Sequence, residues 1–227
     1  MELGATTFPQ DVARLVLRYR VQNSANKTCK AGHNLDHWAC PDKLMQTIRE
    51  TLSTTTERFA SPMDRSADLP AYWSAFKEDQ LFGANHDAYS SPWTGSSQAY
   101  PGQDIKECDK AIRWAIASAE AHPQTPTCTI VVVPYTAGNP HLQHLQHAHT
   151  QVLMHVGSAF ECNGYNFKPP DHWHGQPLHI LQGALQLPKH TIVAVAIYNQ
   201  AGKDLYLNPD NVKALHSKWG RSPPPVA

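Results

Sequence analysis

The chain has 227 residues, with 19 Lys plus Arg against 19 Asp plus Glu, so it carries no net charge while its 14 histidines are neutral. That balance excludes a polynucleotide binder held by bulk phosphate neutralisation; nucleic-acid contact has to rest on a local patch or on a protein partner that supplies basic surface. A hydrophobic fraction of 41% with 17% charged residues excludes a disordered polymer, and the length suits one ordinary domain with a real core.

In chain order, Val12, Leu15, Val16 and Tyr19 have the spacing of one helical face and predict a helix over 9–22. A polar, irregular stretch follows over 23–40. Pro41 then stands where a helix can begin, with Leu44, Met45, Ile48 and Leu52 as a stripe behind it. The β-branched run from Thr54 to Ala60 reads as a short strand that runs into the loop at Ser61-Pro62. Residues 65–80 read as mixed helix or loop, 86–90 as a short extended piece, and the Gly/Ser/Pro-rich stretch 94–103 as a loop.

A helix over 105–121 has the strongest local signature. Asp104 can cap it, Glu107 completes a capping box, and Ile105, Cys108, Ile112 and Ile116 recur on one face. Thr129–Val133 reads as a strand buried on both faces, 135–150 as a Gln/His loop, and 152–156 as a further strand with a possible partner over 159–165. The best strand signal is Thr191–Tyr198. The order argues for an α/β layered fold with a mixed, mostly parallel sheet flanked by helices. The loops after residues 60, 90 and 133 are then expected on one rim, beyond the carboxyl ends of the strands, where such sheets bind ligands.

No apolar run approaches the ~18 residues of a membrane span. The five cysteines, Cys29, Cys40, Cys108, Cys128 and Cys162, are odd in number and irregular in spacing, which does not read as a disulfide framework. With no secretory signal at the start, the expectation is a soluble intracellular protein, nuclear or cytoplasmic.

The informative tetrapeptide is Ser90-Ser91-Pro92-Trp93. An exocyclic amine on a nucleic-acid base is a poor nucleophile, because its lone pair is delocalised into the ring. A side-chain acceptor and a backbone carbonyl bonded to the NH2 group draw the nitrogen toward tetrahedral geometry. A following aromatic can stack on a flipped or single-stranded base. Ser90, the Ser91 carbonyl and Trp93 supply those parts, with Pro92 between them. The alternative is a turn with Trp93 in the core.

Further along, Phe59-Ala60-Ser61-Pro62-Met63-Asp64 resembles a FASPLN-type segment, and Phe82-Gly83-Ala84 a following FGS element. Both belong to the cap-specific adenosine N6-methyltransferases of the phosphorylated-CTD-interacting-factor type, and Ser90–Trp93 resembles that family's NPPF motif. The resemblance covers roughly residues 10–205. It implies a Rossmann-like class I methyltransferase fold; length and composition give one domain over 1–220 with a helical segment over 1–53, and the Pro-rich end reads as a disordered tail over 221–227. The resemblance also implies S-adenosyl-L-methionine as cofactor, bordered by Phe59, Ala60, Ser61, Pro62, Asp64 and Ser90. Asp64 stands where the family has Asn; it either accepts from the cofactor or caps the following turn.

Ser90 in first place resembles the SPPY/SPPW form of cytosine N4-methyltransferases, so cytosine stands second to adenine as target. Ser91 in place of Pro admits a catalytically inactive nucleic-acid-binding or scaffold subunit as the rival reading. The chain shows no WW module, and its target is left open between DNA and RNA.

Histidines 141, 144, 147 and 149 lie in the loop after the buried strand; His141 and His144 are candidates for substrate contact, against a solvated loop. Lys168 and Trp173 form a second candidate contact surface. Cys29, His33, His37 and Cys40 share one face if helical and form a weak candidate zinc site, against a polar loop.

Overall fold

A computed structural model of the chain describes residues 8–25, 42–102, 104–135, 140–156 and 191–219. The first two helices are α1 (Phe8–Ala25) and α2 (Asp42–Leu52). Strands β1 (Thr56–Glu57), β2 (Ala71–Ser74), β3 (Asn85–His86) and β4 (Gly95–Ala99) follow, with 3-10 turns at Lys77–Phe82 and Ala88–Ser90. Then come α3 (Ile105–Ala121), β5 (Thr127–Tyr135), a 3-10 segment at Pro140–Gln146, β6 (Thr150–Val156), β7 (Thr191–Tyr198), α4 (Gln200–Tyr206) and α5 (Pro209–Trp219).

Seven strands form one sheet in the order β3-β2-β1-β4-β5-β7-β6. The first five run parallel, and β7 lies antiparallel between β5 and β6. The architecture is therefore mixed α/β with a mostly parallel sheet, as the element order implies. On one face, Met45, Ile48 and Leu52 of α2 and Leu215 of α5 pack on Cys128, Ile130, Val132, Ala194 and Ala196. On the other, Cys108, Ala111, Ile112 and Ala115 of α3 pack on Val131, Val133, Val193 and Val195. The alternation along β5 and β7 serves both layers, which is why these strands read as continuous apolar runs.

Several expectations are corrected. Residues 65–80 contain β2, and 94–103 contain the whole of β4. β4 was illegible because it is Gly-Ser-Ser-Gln-Ala, a polar sequence buried in the middle of a sheet. Its hydroxyls are satisfied inside the protein: Ser97 Oγ pairs with Thr129 Oγ1 at 2.8 Å, and Ser96 Oγ donates to the Leu52 carbonyl at 2.9 Å. The 135–150 loop contains a 3-10 segment, and 200–219 carries two helices that the apolar pattern did not announce. The helix over 105–121 stands as read, with the Asp104 carboxylate accepting from Lys106 N and Glu107 N at 2.8 and 3.0 Å. The expected strand partner over 159–165, Lys168, Trp173, the tail over 221–227 and the set Cys29, His33, His37 and Cys40 lie outside the described residues.

α4 is anchored to the sheet by one side chain. Asn199 Oδ1 accepts from Thr127 N at 3.1 Å and Gly202 N at 2.8 Å, and its Nδ2 donates to the His122 and Thr125 carbonyls at 2.8 and 2.7 Å. Gly202 is required there, because a Cβ would sit 1.9 Å from the Thr127 carbonyl oxygen. Among the described residues no helix is long and apolar enough to cross a membrane.

Candidate active site

The chain leaves β1 for β2 on one side and reaches β4 on the other, so the order reverses between β1 and β4. In open α/β sheets ligands bind in the crevice beyond the carboxyl ends of the strands at such a point. Here the rim is built from Arg58–Asp64 after β1 and from Tyr100-Pro101-Gly102 after β4. Beneath it, Glu57 and Gln98 are opposed in register on adjacent parallel strands.

Glu57 is only 8% exposed. Its Oε2 accepts from Ser66 N at 2.9 Å and its Oε1 from Gln98 Nε2 at 3.5 Å. Burial pushes its carboxyl up to about 7. The Gln98 Oε1 atom is buried without a hydrogen-bond partner. A buried acid near neutrality beside an unsatisfied acceptor at the switch point is the strongest functional-site signal on this rim. The sequence reading did not single out either residue. The available signal was a lone acid ending a β-branched run two positions before Phe59; Gln98 had none, since its strand was read as a loop.

The Phe59–Asp64 segment folds as a tight turn on this rim. Ser61 is buried, and its backbone N and Oγ donate to Asp64 Oδ1 at 2.5 and 2.8 Å. Met63 N and Arg65 N close on Ser61 Oγ and the Ser61 carbonyl at 3.2 and 2.9 Å. Of the two roles open to Asp64, one oxygen is committed to closing its own turn. Ala60 N donates to the Trp73 carbonyl at 3.0 Å, which extends the β1 pairing past its last residue. Pro62 is half-buried and Phe59 partly buried.

Ser90–Trp93 behaves differently from the expectation. Ser90 does begin near the carboxyl rim: Asp87 N bonds the Ser74 carbonyl at the end of β2 at 2.9 Å, and Ser90 Oγ donates to the His86 carbonyl at 3.3 Å. The tetrapeptide then leads into the amino end of β4, rather than into α3. Trp93 is 0% exposed, donates Nε1 to the Ala88 carbonyl at 2.6 Å, and belongs to the core between sheet and α3. The stacking role assigned to it is therefore corrected. Its large apolar ring is the plug of the β3–β4 crossover and offers no face to a base. The Ser91 carbonyl already accepts from Trp114 Nε1 at 3.2 Å, and Pro92 is exposed.

Around Trp93 lies an aromatic cluster. Phe59 meets it edge-on with ring centroids 5.8 Å apart, and Tyr89 stacks on it at 5.9 Å. Arg58 is buried with its guanidinium 4.6 Å from the Trp73 ring centroid and 5.6 Å from that of Trp93. It donates Nη2 to the Thr94 carbonyl at 3.2 Å, and burial pushes its pKa down to about 10.

The expectation for His141 is also corrected. His141 is 0% exposed with Nε2 2.7 Å from the Pro134 carbonyl, so it is a core histidine closed to substrate. His144 Nε2 lies 3.1 Å from Asp109 Oδ1 and ties the 3-10 segment to α3. Among the described residues no group of three or more His, Cys, Asp or Glu side chains could hold a metal ion.

The family model described as the phosphorylated CTD interacting factor 1 WW domain matches residues 3–161, more than two thirds of the chain. The chain belongs to that family. The match takes in α1 through β6 of the α/β sheet, including the Phe59–Asp64 turn and the whole β1–β4 rim. No curated protein matches the chain.

Proposed function

We propose that the chain is an S-adenosyl-L-methionine-dependent methyltransferase of Rossmann-like, class I type, acting on the exocyclic amine of a nucleic-acid base, adenine N6 first and cytosine N4 second. The observation that carries this reading is the strand order β3-β2-β1-β4-β5, doubly wound, with the Phe59–Asp64 turn at the carboxyl end of β1, where the order reverses. Family membership supports it, because the resemblance to cap-specific adenosine methyltransferases runs through that same turn.

The residues present fit the cofactor on one structural ground. Gln98 Oε1 is a buried acceptor that lacks a donor, and the Glu57 carboxyl lies next to it. Gln98 is 0% exposed, so a ligand bearing an ammonium group and ribose hydroxyls would supply such donors only once the rim above it opens. Phe59, Ala60, Ser61 and Pro62 would border it, with Asp64 holding their turn in shape. When bound, the cofactor supplies a sulfonium methyl group. The chain's own contribution is positioning, and the Ser90 hydroxyl keeps lone pairs with which to accept from the target amine. Loss of the proton to water completes the transfer, since a methylated aryl ammonium is strongly acidic.

One observation favours the second reading, a methyltransferase-like subunit that binds without catalysing. The aromatic of the Ser-Ser-Pro-Trp motif is sealed in the core, and its Ser91 carbonyl is already taken by Trp114 Nε1. The family description names a factor that interacts with phosphorylated CTD. A phosphorylated partner of that kind is anionic, so the basic surface that a neutral chain lacks would come from a different protein partner, in the nucleus or cytoplasm.

Two measurements test the proposal. Calorimetry with S-adenosyl-L-methionine is expected to show binding that Gln98→Leu weakens. Nucleoside mass spectrometry after incubation with isotope-labelled cofactor and mixed DNA and RNA is expected to show a methylated adenine. Transfer removes the second reading; binding without transfer, or no binding heat at all, removes the first and leaves the inactive subunit.

A further inference from the structure

At the opposite rim of the sheet, a groove of about 510 Å³ is lined by Gln151, Lys203, Leu207, Pro209, Val212, Lys213 and His216. β6 runs parallel to β5, so Gln151 near its start lies at the amino rim, as does α4, which follows the end of β7. Pro209, Val212, Lys213 and His216 fall at i, i+3, i+4 and i+7, one face of α5. The floor is aliphatic: Leu207 is buried and Val212 packs against the core below it.

The rim of the groove is cationic. Lys203 and Lys213 are exposed, and among the described residues neither takes part in an ion pair. Lys203 Nζ instead stands 5.4 Å from the Tyr198 ring centroid. None of the lining residues is acidic. In a chain of zero net charge, two unpaired lysines over an apolar floor are a local excess that calls for an anionic partner.

The lining also discriminates between anions. It contains no arginine, whose planar fork pairs bidentately with carboxylate and phosphate alike, and its one ring is the His216 imidazole, with no Phe, Tyr or Trp on which successive bases could stack. Lysine ammonium groups pair with any anion, but the aliphatic floor of Leu207 and Val212 takes an apolar side chain, which an acidic peptide carries and a free phosphate or a nucleotide backbone does not. We propose that this groove docks an acidic peptide segment of a protein partner, with Asp or Glu side chains on Lys203 and Lys213 and an apolar side chain over Leu207 and Val212. The site is independent of the β1–β4 crevice and does not rest on methyl transfer.

The test is fluorescence anisotropy of the full chain with a fluorescein-labelled peptide of alternating Glu and Leu. Binding is expected to weaken at least tenfold in the double variant Lys203→Glu/Lys213→Glu, with the melting temperature unchanged, and to weaken with added salt. Val212→Asp is expected to weaken it as well, and Lys106→Glu on α3, outside the groove, to leave it intact. No binding, or equal binding by the double variant, overturns the proposal. Tighter binding of a phosphoserine peptide or of a single-stranded RNA oligonucleotide, lost in the same double variant, overturns the carboxylate assignment.

Discussion

The Phe59 and Trp93 rings meet edge-to-face, 5.8 Å between centroids and 80° between planes. Through this contact the turn after β1 touches the crossover that leads into β4. The two motifs read from the sequence do come together in space. They meet as core, however, because the tryptophan ring lies beneath the rim.

Trp93→Ala is accordingly expected to act on stability. Removing a fully buried indole that also donates to the Ala88 carbonyl costs about 3–5 kcal/mol. Urea denaturation at constant pH measures this. A stable Trp93→Ala protein that has lost only nucleic-acid binding would restore the stacking role.

Gly202→Ala and Asn199→Ala test the α4 anchor. The alanine methyl at 202 collides with the Thr127 backbone at 1.9 Å, and loss of Asn199 leaves the Thr127 and Gly202 N–H groups without an acceptor and takes one donor from each of the His122 and Thr125 carbonyls. Each variant is expected to lose at least about 2 kcal/mol. Circular-dichroism melts read the effect, and the double variant is expected to lose less than the sum, since both changes release the same helix.

Glu57 makes stability depend on pH. Its folded pKa of about 7 stands above the ordinary 4.5, so the folded chain holds a proton that the unfolded chain has released. The stability it contributes is fully present below the unfolded value and is lost as pH rises through the folded one. The swing is about 3 kcal/mol at most. Glu57→Gln is expected to abolish that fall; denaturant midpoints at about pH 5 and about pH 8 for both proteins measure it.

His141 carries the opposite slope. Desolvation holds its imidazole below the usual range, with Nδ1 buried and unpartnered. Its contribution is present above the unfolded pKa and is lost as pH falls below it, because the unfolded chain takes up the proton first. In the Glu57→Gln background the remaining acid-side loss is expected to shrink in His141→Gln, read from the same denaturation series.

Chain order, the capped helix over 105–121, the strands over 129–133 and 191–198, and the turn at Ser61-Pro62 were all legible, because periodicity, capping and turn chemistry are local properties of the chain. Local pattern also sufficed for the α/β class. Which end of which strand carries Ser90–Trp93 was a different matter. β4 hides its strand character in serine and glutamine hydroxyls and amides that bond only to residues far away in sequence, such as Ser97 to Thr129. With β4 unseen, the tetrapeptide looked adjacent to α3, although it belongs at the amino end of a strand. The tertiary structure alone decided that Trp93 is interior, that His141 is closed, and that Glu57 and Gln98 lie side by side beneath the rim. Burial and register are set by strands pairing between residues 41 positions apart in the chain, and no local window contains that pairing.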